Sequence, residues 1–451
     1  MSKRKKILLL SDDLRMTSGV ARMSFEIVRG TIHKYDWIQL AGAIQHPEHG
    51  QILNINGDER IKIPKGGSLK LYPVSGYGDA DRLFEIIKLE KPDAILHYTD
   101  PRFWIWLYNI EHEVRTQIPI FYYNIWDDLP DPLYNRNYYR SSDLLMAISK
   151  QTYGINKRVV PEYEDWQITY VPHGVDADNY HSIDKSDLRL TQFETKLDIN
   201  NYNFKILFCN RNIRRKMPGD VILAFKHFCD MLPKDEADKC ILVMHTPIVD
   251  ENGTDLGAIH RDICPNYNIK FTEVKLNDNE LNLLYNSCDV TINIASNEGF
   301  GLATCESLMA GTPTIINVTG GLQDQCGFKN EDGEYLTEND YIGEWGSNHN
   351  GKYQEHGEWV KTVFPSTISL MGSPVTPYIF DDRCRWDETG EAMKYWYDKT
   401  PDERKEAGKK GREFVIKEGM TSEKMSDNFI TSMDTVFEKW KPKEKYTLEV
   451  V

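Results

Sequence analysis

The chain has 451 residues, 40% of them hydrophobic, enough to bury two full cores. Lys plus Arg number 54 and Asp plus Glu 69, a net charge of −15, which argues against a general nucleic-acid binder while leaving room for a local basic groove. No stretch approaches the ~20 apolar residues of a membrane span.

The opening MSKRKKILLLSDD is basic, but its apolar run is shorter than the roughly 7–15 residues of a signal-peptide core. It reads as a first core strand over residues 6–11, in a protein expected to be cytoplasmic. The eight cysteines lie beyond residue 200 with no C-x-x-C pair, and read as small buried apolar residues of a reducing compartment. After the strand comes MTSGVARMSFEIV, a helix with Thr17 or Ser18 as N-cap. Gly19 at its start would let backbone approach a ligand at the carboxyl end of strand one.

Strands are expected at 37–44 and 52–63, joined by the polar loop HPEHG. His46 and His49 in that loop lack a third metal ligand nearby. A helix at 83–89 and strands at 95–97, 118–123, 144–149 and 168–171 follow. Their loops at the carboxyl ends are TDPRFW, NIWDDLPDP, AISK and PHGVD. Alternation of strands and helices argues for a doubly wound parallel sheet. Residues 176–202 are polar without a clear period and read as the linker.

A second α/β unit starts at 204–209 and leads through NRNIRRKMPGD into a helix. Further strands are expected at 241–245, 269–271, 290–294 and 314–318, with helices at 278–286 and 302–310. Between 327 and 382 periodicity fails, and the aromatic-rich segment reads as an ordered insertion. Helices at 391–398 and 402–417 precede a last one with an apolar stripe at Met425, Phe429, Met433 and Phe437.

The stretch with the most chemistry is NIASNEGFGLATCESLMAGTPTIINVTGG, residues 293–321. Glu298 and Glu306 stand with seven residues between them, the first before a Gly-Phe-Gly turn and the second on a helix. A helix N-terminus with free N–H groups is an anion site. The two acids would repel phosphate but can accept the hydroxyls of a sugar or ribose, so the pattern suggests a nucleotide sugar. Read alone, Glu298 could equally cap the helix and Glu306 lie on a solvated face. Arg211, Arg214, Arg215 and Lys216 follow a strand in the same unit. On the same sheet edge they would meet a diphosphate with Arg forks and a Lys point charge.

EGFGLATCESLMAGTP resembles the donor-site signature of family 4 retaining glycosyltransferases. The resemblance is strong over 200–325, moderate over 1–180 and absent over 327–382. It implies a GT-B fold: two doubly wound Rossmann-like domains facing across a cleft, with a C-terminal helix crossing back to the first. The segments would be 1–185 on the acceptor side, 200–420 binding the donor, and 421–451 returning. It implies donor contacts from Gly19, Glu298, Gly299, Phe300, Gly301, Leu302 and Glu306. For the diphosphate-binding Arg and Lys, Arg211 and Lys216 match the family spacing best, with Arg215 an alternative for the Lys.

Such an enzyme would be a hexosyl- or pentosyltransferase using a nucleoside-diphosphate sugar, a UDP-sugar, with no cofactor and no metal. Where the family has a sugar-contacting His, this chain has Trp126 beside Asp127. Asp127, Asp100 and His97 are then the candidates, each equally readable as a loop cap. His173 replaces a family Asn near the hinge and reads as structural. SDDLRMTSGVARMS and LHYTDPRFWIWLYNIEHEVR also look like glycosyltransferases of large tailed phages. That likeness implies an acceptor such as a hydroxymethylated pyrimidine in phage DNA, with Trp345, Tyr353, Trp359 and Phe364 offered for base stacking. The alternatives are a glycan, a lipid-linked sugar or a small molecule as acceptor, and a non-catalytic sugar-nucleotide binder. The motif contains no information about the acceptor.

Overall fold

The computed structural model describes residues 4–55, 57–349 and 351–445. The outermost parts of the expected first and last segments, 1–3 and 446–451, lie outside the described residues, as do positions 56 and 350.

The first sheet contains β1 (Lys6–Asp12), β2 (Asp36–Gly42), β3 (Leu53–Asn54), β4 (Leu69–Pro73), β5 (Ala94–His97), β6 (Ile120–Asn124), β7 (Leu144–Ala147) and β8 (Ile168–Tyr170). Their order is β3-β4-β2-β1-β5-β6-β7-β8, parallel except for β3 against β4. The second sheet contains β9 (Phe204–Cys209), β10 (Cys240–His245), β11 (Asn268–Phe271), β12 (Val290–Asn293), β13 (Thr314–Asn317) and β14 (Val360–Val363). It is wholly parallel, in the order β11-β10-β9-β12-β13-β14. Both orders reverse direction next to the first strand of the unit, where doubly wound sheets bind ligands. This is the GT-B fold.

Short strands buried on both faces explain why apolar runs, rather than alternating patterns, marked them. Ile7 to Leu10 are fully buried, as are Ile206 to Phe208. The helix Ser422–Lys439 crosses back to the first sheet through Met425, Phe429, Met433 and Val436, all fully buried. Tyr35 donates to Asp434 at 2.7 Å, and the Phe437 ring lies against Phe121 and Tyr35.

Three expectations need correction. Among the described residues of the strand expected over 52–63, only Leu53–Asn54 forms, and the fourth strand instead starts at Leu69. The polar linker holds a helix, Leu188–Leu197, whose Leu190, Phe193 and Leu197 bury one face at helical spacing. The insertion is partly core: it supplies β14 to the second sheet. It also carries an antiparallel hairpin, β15 (Thr367–Ser373) with β16 (Thr376–Arg383). That hairpin reaches the first domain, where Phe380 N donates to Leu129 O at 2.6 Å and Tyr134 donates to Tyr378 O at 2.8 Å.

Candidate functional site

The carboxyl ends of the two sheets face each other, and the Glu298 turn occupies the second-domain side. Gly301, at φ +89°, is the N-cap of the helix Leu302–Met309, a left-handed position that favours glycine. A second turn packs on it. Gly321 N donates to Glu298 O at 2.8 Å, and a Cβ on Gly321 would lie 2.0 Å from Gly299 O. Only glycine allows that approach.

Glu298 is buried and bonded to Lys216, with Arg215 at 3.6 Å. Lys216 and Arg215 come from the 3-10 turn Arg214–Lys216 after β9. Arg215 is fixed from both ends: it donates to Asn297 O at 2.8 Å and its carbonyl accepts from Ser296 N at 2.8 Å. Burial works to raise the Glu298 carboxyl, but the Lys216 and Arg215 charges outweigh it and hold the group below its ordinary value. Burial pulls the Lys216 ammonium below its ordinary value.

Arg211 does not join this cluster. Its guanidinium forks onto Asp250 at 2.8 and 3.2 Å, with the side chain 60% exposed. Besides Lys216, the side chain next to Glu298 is that of Arg215, which the resemblance offers as an alternative for the Lys.

Across the cleft, Ser18 caps the helix Gly19–Thr31 by accepting from Ala21 N at 3.0 Å. The Cβ position of Gly19 lies 3.9 Å from Leu302 Cδ1. Two helix N-termini therefore meet at the gap, one from each domain, and both present positive dipole ends. Phe300 is buried rather than lining the gap, its ring edge-on to His173 at 5.2 Å. His173 sits between the hydroxyls of Tyr123 (2.8 Å) and Tyr98 (3.4 Å), and burial pushes it down to about 3.

Glu306 is buried about one turn into the Leu302–Met309 helix. Tyr285 donates to its Oε2 at 2.8 Å, and Arg22, from the Gly19 helix, lies 3.1 Å from Oε1. Arg22 also reaches Tyr180 at 2.9 Å and Asp278 at 3.2 Å. Burial raises the Glu306 carboxyl above its ordinary value even against the Arg22 charge. Sequence reasoning missed both partners. Arg22 stands three residues after Gly19, on the same helix face, which was the available signal.

From the first domain, Asp127 faces the Glu298 turn: its Cβ is 3.9 Å from the Cβ position of Gly299. The charges of Arg215 and Glu298 both act on its carboxyl. Asp100 instead caps a 3-10 turn, accepting from Arg102 N at 2.9 Å and from its Nε at 2.8 and 3.0 Å. His97 is fully buried, bonded to Tyr108 at 2.7 Å and stacked on Tyr122. His46 bonds Asp13 at 2.9 Å and His49 accepts from Ser75 N. Among the described residues, no group of three His, Cys, Asp or Glu is arranged to hold a metal ion.

The insertion aromatics nominated for base stacking are engaged elsewhere. Trp359 is buried and stacked on Phe414, Trp345 lies edge-on to Tyr341, and Phe364 packs on Phe328 and His349. At the first-domain lip, Phe103 is 58% exposed and stacked on Tyr77, 5.2 Å between centroids. No helix among the described residues is long and apolar enough to cross a membrane.

Residues 191–340 match the sequence model of the family described as Glycosyl transferases group 1. No curated protein sequence matches the chain. HepE of Anabaena in complex with UDP and glucose aligns with a TM-score of 0.63 and 14% identity, over 96% of this chain and 100% of that one. Sucrose-phosphate synthase from Thermosynechococcus elongatus aligns at 0.64 and 13%, over 96% and 100%. An E. coli structure described as trehalose-6-phosphate bound with UDP-2-fluoro glucose aligns at 0.60 and 10%, over 97% and 100%. At these identities the likeness shows the fold.

Proposed function

We propose that this chain is a retaining, metal-independent glycosyltransferase of family 4 type, moving a hexosyl or pentosyl group from a UDP-sugar to an acceptor hydroxyl. The observation that carries this reading is the meeting of Lys216, Arg215 and Glu298 at the start of the Leu302 helix, with the Gly19 helix start opposite. The match of residues 191–340 to the group 1 glycosyltransferase model, and neighbours solved with UDP or a UDP-sugar, support it.

Cleavage of the bond from the anomeric carbon to phosphate builds negative charge on the leaving diphosphate. Preorganised cations and two helix N-termini stabilise that charge, and one such donor is worth about 3 kcal/mol. Lys216 and Arg215 supply there the charge that a divalent metal supplies in other designs. The departing phosphate oxygen takes the acceptor proton on the face it leaves, which retains configuration and needs no pair of acids. Glu306 takes the ribose hydroxyls, and Asp127 orients the acceptor hydroxyl. Family 4 assignment and retention rest on the motif at 298–313.

For the acceptor, the reading we carry forward is a hydroxymethylated pyrimidine in phage DNA, with Phe103 rather than the insertion aromatics available to stack on a base. The enzyme would then act in the host cytoplasm. The test is intact-mass detection of product from a panel of nucleotide sugars, offered hydroxymethylated DNA and simple glycosides in parallel. A sugar's mass gained by the DNA supports the full reading, and mass gained only by the glycosides moves the acceptor to a glycan or small molecule. Nucleotide binding with no transfer would leave a sugar-nucleotide binder. Activity lost in EDTA and restored by a divalent ion would overturn metal independence.

A further inference from the structure

Loops at the carboxyl ends of β1, β4 and β5 meet around one buried acid. Asp12 is the last residue of β1 and is buried. Its Oδ2 accepts from Ser18 Oγ at 2.7 Å, and its Oδ1 accepts from Tyr77 Oη at 3.1 Å. Its carbonyl accepts from Gln39 Nε2 at 2.7 Å, and Gln39 Oε1 accepts from Leu14 N at 3.1 Å. Gln39 is fully buried, so the backbone before and after the turn is pinned to β2. A buried polar network with its members paired holds them in one geometry.

The two hydroxyls lead to the two sides of the site. Ser18 caps the helix Gly19–Thr31, and its Oγ accepts from Ala21 N at 3.0 Å while donating to Asp12. The start of that helix stands opposite Leu302 across the gap. Tyr77, in the loop after β4, leads to the first-domain lip. Its ring stacks on Phe103, 5.2 Å between centroids and 7° between planes, and Trp104 packs on it at 5.2 Å. Phe103 is exposed, and Arg102 beside it lies over the ring of Trp126, the residue before Asp127, at 5.5 Å. A flat apolar face therefore stands on the same lip as Asp127, backed by a tyrosine whose hydroxyl is tied down.

We propose that Asp12 is a positioning residue for both substrates. Through Tyr77 it sets the Phe103 face on which the acceptor ring stacks, and through Ser18 it sets the helix start that meets the donor diphosphate. This rests on the reading of Phe103 as the acceptor's seat and of the gap as the donor site. Losing the carboxylate frees both ends at once, whereas losing either hydroxyl frees one.

The test measures kcat and KM with UDP-glucose and hydroxymethylcytosine DNA, and UDP affinity by calorimetry, in D12A, D12N, Y77F, S18A and F103A. Y77F should raise the acceptor KM about fivefold with UDP affinity within about twofold, short of the roughly tenfold or more of a direct hydrogen bond to a charged group. S18A should do the reverse, weakening UDP about fivefold and leaving the acceptor KM within about twofold, as loss of a helix cap at the donor side implies. D12A should show both changes together, and adding Y77F to D12A should raise the acceptor KM no further, because both remove the same bond. D12N can accept from Ser18 and donate to the Tyr77 oxygen, so it should recover most of both losses. Y77F and S18A each lose a single oxygen and carry the comparison if D12A does not fold. The proposal is overturned if D12A moves only one of the two constants, if D12N is as poor as D12A, or if Y77F and S18A both keep wild-type constants. A wild-type acceptor KM in F103A, or no transfer to that DNA by the wild type, instead removes the acceptor reading on which it rests.

Discussion

Arg22, on the first helix of the chain, stands 3.1 Å from Glu306, on a helix nearly three hundred residues later. The pair joins the two domains at the carboxylate expected to hold the ribose, so nucleoside recognition and the contact between domains share one group. Truncating one partner of a fully buried pair costs about 3–5 kcal/mol, and Arg22, with its side chain 27% exposed, should cost less. Replacing it with Ala is expected to destabilise the protein by about 2 kcal/mol in urea unfolding. A loss below about 0.5 kcal/mol would show that the pair does not hold the domains.

Glu306→Ala is expected to abolish donor binding, measured as UDP affinity by calorimetry. The loss should be at least about 100-fold, since hydrogen bonds to a charged group are worth about 1.5–3 kcal/mol each. Unchanged affinity would refute the ribose assignment.

Lys216→Ala should lower kcat by about 10²–10³, the usual cost of one preorganised donor to a developing charge. Arg211→Ala should change it by less than about threefold, because that guanidinium is committed to Asp250 on the surface. Equal losses would mean that Arg211 swings onto the diphosphate when donor binds.

The same lysine sets a pH effect. Its ammonium is held below the ordinary lysine value by burial, so the site loses a positive charge at a lower pH than a free lysine would. Activity should decline as pH rises through that lowered value. Stability should not decline with it: between the lowered value and about 10.4 the unfolded chain binds the extra proton, so this group favours the fold more as pH rises. Lys216→Arg should move the decline to higher pH in the rate profile.

Asp382 gives the opposite sign for stability. It is fully buried and pushed up to about 7 by desolvation. Between about 4 and about 7 the folded protein keeps a proton that the unfolded chain has lost, so its contribution falls as pH rises across that window. Asp382→Asn should therefore raise the melting temperature at pH 8 and leave it nearly unchanged at pH 5, in paired thermal scans.

Much of this arrangement could be read from the residues. Doubly buried strands leave apolar runs such as ILLL and ILVM, and the Glu298 turn announces itself because glycines are needed where backbones touch. Contacts made at long range left less trace. β14 is a four-residue strand whose only apolar buried positions are Val360 and Val363, so no local pattern exposed it. Arg211 and Arg215 differ in which acid each finds in space, Asp250 or Glu298, and spacing along the chain does not carry that difference. The insertion aromatics looked available because their partners, Phe414 and Tyr341 among them, lie far along the chain or across a loop.

The hairpin β15–β16 grows from the second domain yet takes hydrogen bonds from Tyr134 and gives one to Leu129 in the first. A hinge rotation that parts the sheets must break those bonds or drag the hairpin along with the first domain. The two halves are strapped at the loop after β6 as well as joined by the linker and the returning helix. Parting the domains therefore means releasing contacts at two separate places, the hairpin strap and the Arg22–Glu306 pair.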